Sequence, residues 1–309
     1  MGGTYELQKQ RTVEKETEKG RMLALGFFDC LHRGHREIVS RMLSVCDLCN
    51  FEPHIFTFDD DFFEALGSDT RLVYLLEERL ELFEEAGIPR KNALIATPSA
   101  DFLEISADDF LAMLDGYNLS AVIAGEDFRF GKGAAYGMAE LEEWARSRGI
   151  IAIKQPLLKE WDRKISSSDI REYLAIGEVA AANALLGRRY FAEGSVLHGR
   201  GVGKSFGLPT ANLTLPKEKL LPFDGVYETR TVVDGVKYRS VTNVGACPTF
   251  GETVKGVETH IIGFDGDVYG KKIRVEFVDR IRSIFRFDSK EELKKQIESD
   301  VRRVIESDD

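Results

Sequence analysis

Five short apolar runs, Met22–Leu25, His54–Phe58, Ala93–Ala96, Ala121–Ala124 and Ile150–Ile153, recur through the first half of the chain, with helical patterns between them. In one interval Leu72, Leu75, Leu76, Leu80 and Phe83 form an i, i+3, i+4 stripe, and Gly87 and Pro89 follow as stop signals. Strands that alternate with helices predict a mostly parallel sheet covered on both faces. Ligands of such sheets bind beyond the C-terminal ends of the strands.

The period then changes. From Ser166 the pattern is helical: serines able to cap, then Ile170, Tyr173 and Leu174, Gly177, an alanine-rich stretch to Leu186, and a closing Gly187. Beyond this join, Val226–Val233 and Val236–Val244 flank Asp234-Gly235, which predicts a hairpin with a type I′ turn. Val257–Phe264 and Lys272–Val278 add strands, so an antiparallel barrel or sandwich is expected. Ser289 and Glu292 match a capping box, and Leu293, Ile297, Val301 and Val304 give the last helix an apolar face to lay on the β-structure. The expected organisation is an N-terminal extension over residues 1–20, an α/β domain over 21–186 and a β-domain over 187–309, with fraying at 306–309.

A length of 309 residues suits two cores better than one. The 52 acidic against 42 basic residues leave a charge of −10, which argues against broad binding to nucleic acid or anionic lipid. A local phosphate site stays open, because backbone amides and a few side chains suffice for one. No apolar run reaches the ~18–20 residues that span a bilayer, and the mixed-charge N-terminus lacks the apolar core of a secretory signal. A cytoplasmic protein is expected. Four cysteines make no disulfide framework. Cys46 and Cys49 form a single C-x-x-C near the end of an apparent helix running from Arg36, with no second pair to complete a zinc set, and read as buried or half-buried thiols.

Gly26-Phe-Phe-Asp-Cys-Leu-His32-Arg-Gly34-His35 directly follows the first strand and precedes a helix. Two histidines three apart, with a glycine between them at a helix start, can aim both imidazoles at one anion, and the helix N-terminus adds free N–H groups. This segment resembles the H-x-G-H signature of the nucleotidyltransferase superfamily, and more closely the N-terminal domain of bacterial bifunctional riboflavin kinase/FAD synthetases. Gly125-Glu-Asp127-Phe128-Arg129-Phe-Gly131 is similar to that family's flavin and ATP loop. Ile165-Ser-Ser167-Ser168-Asp-Ile-Arg171 is similar to its second phosphate motif. The resemblance implies that His32 and His35 act on the reacting phosphates and that Gly26, Phe28, Asp29 and Gly34 belong to the ATP site. It places Ser167, Ser168 and Arg171 on the departing pyrophosphate, and Asp127, Phe128 and Arg129 near flavin. The chain departs from the family at Phe27 (usually Asn), at Cys30 (usually Gly) and at Asp60-Asp61, where Phe58-Asp-Asp-Asp-Phe62 replaces Phe-Asp-Pro-His-Pro.

In the second half, Gly199-Arg-Gly201-Val-Gly203-Lys204-Ser205 invites a P-loop reading, but His198 stands where the first glycine is required, and Gly207 and Pro209 leave no room for the helix. A phosphate-cradling loop and a flexible turn are equally compatible with three glycines. Pro209-Thr210-Ala-Asn212 follows. In an extended segment Thr210 and Asn212 face the same side, and both offer the hard oxygen donors that Mg²⁺ prefers. This is similar to the Pro-Thr-Ala-Asn motif of riboflavin kinases. Asn243-Val-Gly245, Pro248-Thr-Phe250, Glu258-Thr-His260 through Tyr269-Gly270, and Ile281-Arg282 through Phe287 are similar to later segments of that family, in order.

The resemblance implies that Thr210 and Asn212 hold MgATP with Gly199, Gly201, Gly203 and Lys204, that Glu258 is the base toward the ribityl 5′-hydroxyl, and that Arg282 touches phosphate or flavin. The expected activity is ATP- and Mg²⁺-dependent phosphorylation of riboflavin to FMN by the C-terminal domain, then adenylylation of FMN to FAD with release of pyrophosphate by the N-terminal one. The partners are small molecules, with no nucleic acid and no membrane. The departures at Phe27, Cys30, Asp60 and Asp61 leave a kinase without FAD synthesis as the alternative. A non-catalytic flavin- or RNA-binding regulator is a second. The intact Thr210, Asn212 and Glu258 and the acidic charge oppose that second reading.

Overall fold

The computed structural model describes residues 19–160, 163–197, 208–246 and 255–307. The glycine segment with Gly199, Gly201, Gly203 and Lys204, the Pro248-Thr249-Phe250 segment and nearly all of the N-terminal extension lie outside them. The chain forms two compact units, Met1–Ser166 and Ser167–Asp309.

In the first unit the elements run β1 (Arg21–Leu25), α1 (Arg33–Cys49), β2 (Glu52–Phe58), α2 (Phe62–Ala65), α3 (Leu76–Glu85), β3 (Ala93–Ala96), α4 (Ala100–Leu103), α5 (Ala107–Asp115), β4 (Leu119–Gly125), α6 (Met138–Ser147), β5 (Ile151–Gln155), β6 (Lys159–Glu160) and β7 (Arg163–Lys164). The five main strands form a parallel sheet in the order β3-β2-β1-β4-β5, as the alternation of strand and helix patterns predicts. Helices cover both faces, which is why the strands read as unbroken apolar runs rather than alternating ones. Leu23, Leu25, Val122 and Ala124 meet Phe110, Leu141 and Trp144 in one core cluster.

The stripe over 72–83 enters its helix later than its first residues suggest. Leu75 N–H donates to Glu78 Oε2 at 2.8 Å and Leu76 N–H to Asp60 Oδ1 at 2.6 Å. These carboxylates satisfy the first donors of α3, so Leu72 and Leu75 precede the helix while remaining buried. Helix α1 ends at Asn50, in the left-handed region at φ 54°, with its N–H on Cys46 carbonyl. Cys46 is buried, and burial pushes its thiol up to about 11. Cys49 is exposed, contrary to the buried or half-buried reading, because it is the last residue of α1, where Asp47, Leu48 and Asn50 are exposed as well.

The second unit contains α7 (Ser167–Ile176), α8 (Val179–Leu186), β8 (Phe191–Leu197), β9 (Ala211–Thr214), β10 (Gly225–Val233), β11 (Val236–Ala246), β12 (Lys255–Ile261), β13 (Lys272–Arg282) and α9 (Lys290–Glu306). Six strands close a barrel in the order β10-β11-β12-β9-β8-β13. Asp234 at φ 49° and Gly235 at φ 80° make the two left-handed residues of the β10–β11 turn. Inside the barrel, Tyr190, Tyr227 and Phe277 pack edge and face. Thr229, Thr231, Ser240, Thr242 and Thr259, all buried, hydrogen-bond to one another and so satisfy their hydroxyls without water.

Helix α9 is capped by Ser289, whose hydroxyl accepts from Glu292 N–H at 3.2 Å. The reciprocal half of the capping box goes one residue upstream, with Glu292 accepting from Asp288 N–H. Val304 meets Val226 and Val241 on the outside of the barrel, as the apolar face requires. Helices α7 and α8 also belong to this unit: Asn183 donates to Phe277 carbonyl at 2.9 Å and accepts from Tyr190 N–H, while Phe223 N–H reaches Leu174 carbonyl at 2.8 Å.

Candidate active sites

In the first unit β1 lies between β2 and β4, so the strand order reverses there, and Leu25 stands level with Ala124. The loop from Gly26 and the loop from Gly125 therefore leave the sheet side by side, at the crevice where such sheets take ligands. The first loop is strained: Phe28 has φ 53° and Leu31 φ 38°. Phe28 is fully buried, and its ring meets His35 edge-on at 5.1 Å and Phe83 at 6.2 Å, so it forms the floor beneath the histidine. A Cβ on Gly26 would stand 2.9 Å from that ring, which accounts for the glycine. Asp29, buried, accepts from Val73 N–H at 3.2 Å.

His32 is the N-cap of α1, and its Nδ1 accepts from His35 N–H at 3.1 Å. That bond uses the Nδ1 lone pair and leaves Nε2–H as the donor toward a ligand. The two imidazoles stack at 3.7 Å with 9° between their planes. Burial, reinforced by His32, holds the His35 imidazole well below the usual histidine range. Among the described residues, its buried Nδ1 has no hydrogen-bond partner. A Cβ on Gly34 would stand 3.1 Å from the His32 ring, so the glycine of H-x-G-H is what lets the rings stack.

Ligand atoms of Cys30, His32 and His35 lie within 4.8 Å of one another, a spacing that a soft metal ion can use. Two features favour an anion instead. Nδ1 of His32 is occupied as a cap, and stacked parallel rings do not converge their lone pairs on one centre as a tetrahedral ion requires.

On the opposite wall, Asp127 Oδ2 lies 3.4 Å from Lys164 Nζ, and Arg33 Nη1 lies 2.9 Å from Glu160 Oε2. Strands β6 and β7 are thus tied to both loops, a link with no local sequence signal. The Phe128 ring stacks with Phe130 at 5.8 Å, and Arg129 returns to Phe128 carbonyl at 3.0 Å. Ser167, Ser168 and Arg171 sit in the first turn and a half of α7, in the second unit.

The departures at Phe27 and Asp60 form one block. Phe27 packs against Phe58, Phe62 and Phe63 at 5.6, 4.5 and 5.6 Å, with the Arg79 guanidinium over its ring at 5.2 Å. Arg79 is fully buried and donates to Thr57, to Phe58 carbonyl and to Asp60. The Asp60 carboxylate is therefore turned inward, to Arg79 and the head of α3. Cys30 has no positive φ, so its backbone does not require glycine.

In the barrel, β9 places Asn212 opposite Glu258 on β12. Thr210 Oγ1 donates to Glu258 Oε1 at 2.5 Å. A hydroxyl whose proton goes to a carboxylate turns its lone pairs elsewhere, and Asn212, 3% exposed, adds a carboxamide on the same face. These hard oxygen donors fit Mg²⁺. His260 lies two residues beyond Glu258, and its Nδ1–H donates to Pro209 carbonyl at 2.8 Å, which ties the Pro209–Asn212 segment to β12. Arg282 is held by Asp300 of α9, Nη2 to Oδ2 at 2.8 Å and Nε to Oδ2 at 3.0 Å, and lies over the Phe285 ring at 4.7 Å.

Residues 14–169 match the family model described as FAD synthetase, and residues 186–307 the one described as riboflavin kinase. A bifunctional riboflavin kinase/FMN adenylyltransferase of Bacillus subtilis is 32% identical over 302 residues, covering 94% of this chain and 93% of the relative. The protein of the same description from Escherichia coli K12 is 30% identical over 293 residues, covering 93% of each. A crystal structure described as a macrolide-efflux protein from Streptococcus pneumoniae matches with a TM-score of 0.84 at 28% identity, covering 95% of this chain and 96% of that one. Among the described residues, no helix is long and apolar enough to cross a membrane. With both domain models matched in order along one chain, and relatives aligned over nearly its whole length, this chain belongs to the bifunctional riboflavin kinase/FMN adenylyltransferase family.

Proposed function

We propose that the chain makes FAD from riboflavin in two steps, using one ATP in each. The observation that carries the kinase step is the Thr210–Glu258 hydrogen bond beside buried Asn212 on the barrel surface. Thr210 occupies one carboxylate oxygen of Glu258 and orients the other toward an incoming alcohol. The ribityl 5′-oxygen attacks the γ-phosphorus of ATP, the bond from that phosphorus to the β,γ-bridging oxygen breaks, ADP leaves, and Glu258 receives the hydroxyl proton. Thr210 and Asn212 would hold Mg²⁺, which would offset charge on the triphosphate.

In the first unit, an oxygen of the FMN phosphate attacks the α-phosphorus of a second ATP, and the α–β bridge breaks to release pyrophosphate. The nucleophile is already an anion at neutral pH, so the site needs electrostatic stabilisation rather than a base. His32 supplies Nε2–H for that purpose, and neutral His35 stacks against it. Asp127 lies on the facing wall beside Lys164.

The kinase-only reading rested on Phe27, Cys30 and Asp60-Asp61. Asp60 is neutralised by Arg79 and Cys30 needs no left-handed backbone, so neither opposes FAD formation. The substrates, riboflavin, FMN and ATP, are those of the cytoplasm, and the acidic charge argues against broad binding to nucleic acid. Incubation with riboflavin, ATP and Mg²⁺, followed by chromatography, tests both steps. FMN with FAD supports the full reading, FMN alone removes the second step, and neither product removes both.

A further inference from the structure

Three strands bring a row of polar side chains to one face of the barrel. Asn212 on β9 is paired with Glu258 on β12, and Glu258 is paired with Asn243 on β11. Directly opposed residues on antiparallel neighbours send their side chains to the same face, with Cβ atoms about 4.5–5.5 Å apart. Glu258 therefore has a carboxamide on each side. The row continues to Val226 on β10, which α9 covers, and ends at Arg282 on β13, which Asp300 of α9 holds.

The two carboxamides are not equivalent. Asn212 is buried, and with Thr210 it lies on the side that the kinase reading gives to the nucleotide. Asn243 is half-buried, and among the described residues its side chain makes no hydrogen bond. A polar side chain placed one strand from the reacting carboxylate, with donor and acceptor both available, matches the needs of a hydroxyl, which must give one hydrogen bond and can take another. In the kinase reading Thr210 and Asn212 take the nucleotide, so the attacking alcohol arrives from the other side of Glu258. The hydroxyl one carbon along from the attacking oxygen then falls beside β11.

We propose that Asn243 binds the secondary hydroxyl adjacent to the ribityl 5′-hydroxyl and thereby selects which oxygen of the open-chain polyol is presented to Glu258. This rests on the kinase reading above. Sequence alone places Asn243 in a family-like segment without a role. Its relation to Glu258 comes from the β11–β12 register.

The test compares riboflavin with 4′-deoxyriboflavin at saturating MgATP in the full-length wild-type chain and in Asn243→Ala. A neutral hydrogen bond predicts that kcat/KM for riboflavin falls about fivefold in the variant, within a range of about 2- to 12-fold. The value for the deoxy compound should change less than about twofold, and KM for MgATP should hold. FAD formation from added FMN in the same sample checks that the chain is intact. If the alanine variant loses the barrel, Asn243→Ser, which keeps a donor and acceptor on a strand-compatible side chain, should show a smaller loss confined to riboflavin. Equal losses with both flavins, or no loss with either, would overturn the role of Asn243 while leaving the kinase reading in place. A wild-type chain that phosphorylates neither flavin would remove the function and this inference together.

Discussion

Gly34→Ala separates catalysis from stability in a way that the geometry around H-x-G-H specifies. The new methyl carbon would stand 3.1 Å from His32 Cε1 and 3.2 Å from Nδ1, inside ordinary van der Waals contact. His32 has to yield by a few tenths of an ångström, which tilts the ring out of its stack on His35 and lengthens the 3.1 Å cap bond. A lost N-cap costs about 1 kcal/mol. Alanine in place of glycine within a helix returns about 1 kcal/mol, because Gly34 lies in the first turn of α1. These terms nearly cancel, so the melting midpoint should move by no more than a few degrees. Catalysis has no such compensation. Moving one preorganised donor away from a phosphate undergoing displacement costs about 10²- to 10³-fold in rate. FAD formation from FMN and ATP, followed by chromatography, should fall by that factor, with riboflavin phosphorylation in the same sample as the reference. An unchanged FAD rate would refute the role assigned to the stacked pair, and a loss of several kcal/mol in stability would refute the cancellation.

Further outcomes follow from other parts of the structure. Glu258→Gln keeps the shape of the side chain but cannot take a proton, and FMN formation should fall by about 10²-fold or more in a riboflavin kinase assay, with flavin binding by fluorescence retained. Because His35 is held below its ordinary 6.5, the unfolded chain binds a proton there that the folded chain refuses, so stability is full above about pH 7 and declines as pH falls through 6.5. His35→Asn should flatten that decline by up to about 1.4 kcal/mol per pH unit, read from urea unfolding at pH 7.5, 6.5 and 5.5. Arg79→Ala strips the hydrogen bonds from Thr57, Phe58 carbonyl and Asp60 and exposes the Phe27 ring, and should cost about 3 kcal/mol by the same unfolding measurement.

Local chemistry made the architecture legible in the sequence. Each of the five apolar runs of the first half falls in a strand of the parallel sheet; β1 and β4, in the middle, are mostly buried and have to be apolar throughout, while β5 at the edge is part-exposed. The Asp234-Gly235 turn and the Ser289 cap were equally readable, since each depends on the conformational preference of one or two residues. His32, Gly34 and His35 sit within one turn, and Thr210 immediately precedes the strand that holds Asn212, so the spacing of each set within a short segment was legible from helix and strand periods.

What lay beyond sequence was every relation that chain closure creates. Thr210 meets Glu258 across 48 residues and Asn243 faces Glu258 across a strand pair, and no local period encodes either register. The inward turn of Asp60 depended on a buried arginine supplied by α3, and the exposure of Cys49 on where α1 runs past the residues that cover it. Hydrophobic period and turn chemistry act over a few residues and set which elements form. Burial and strand pairing act between elements, and only they decide which of the polar residues along the chain stand together around a phosphate.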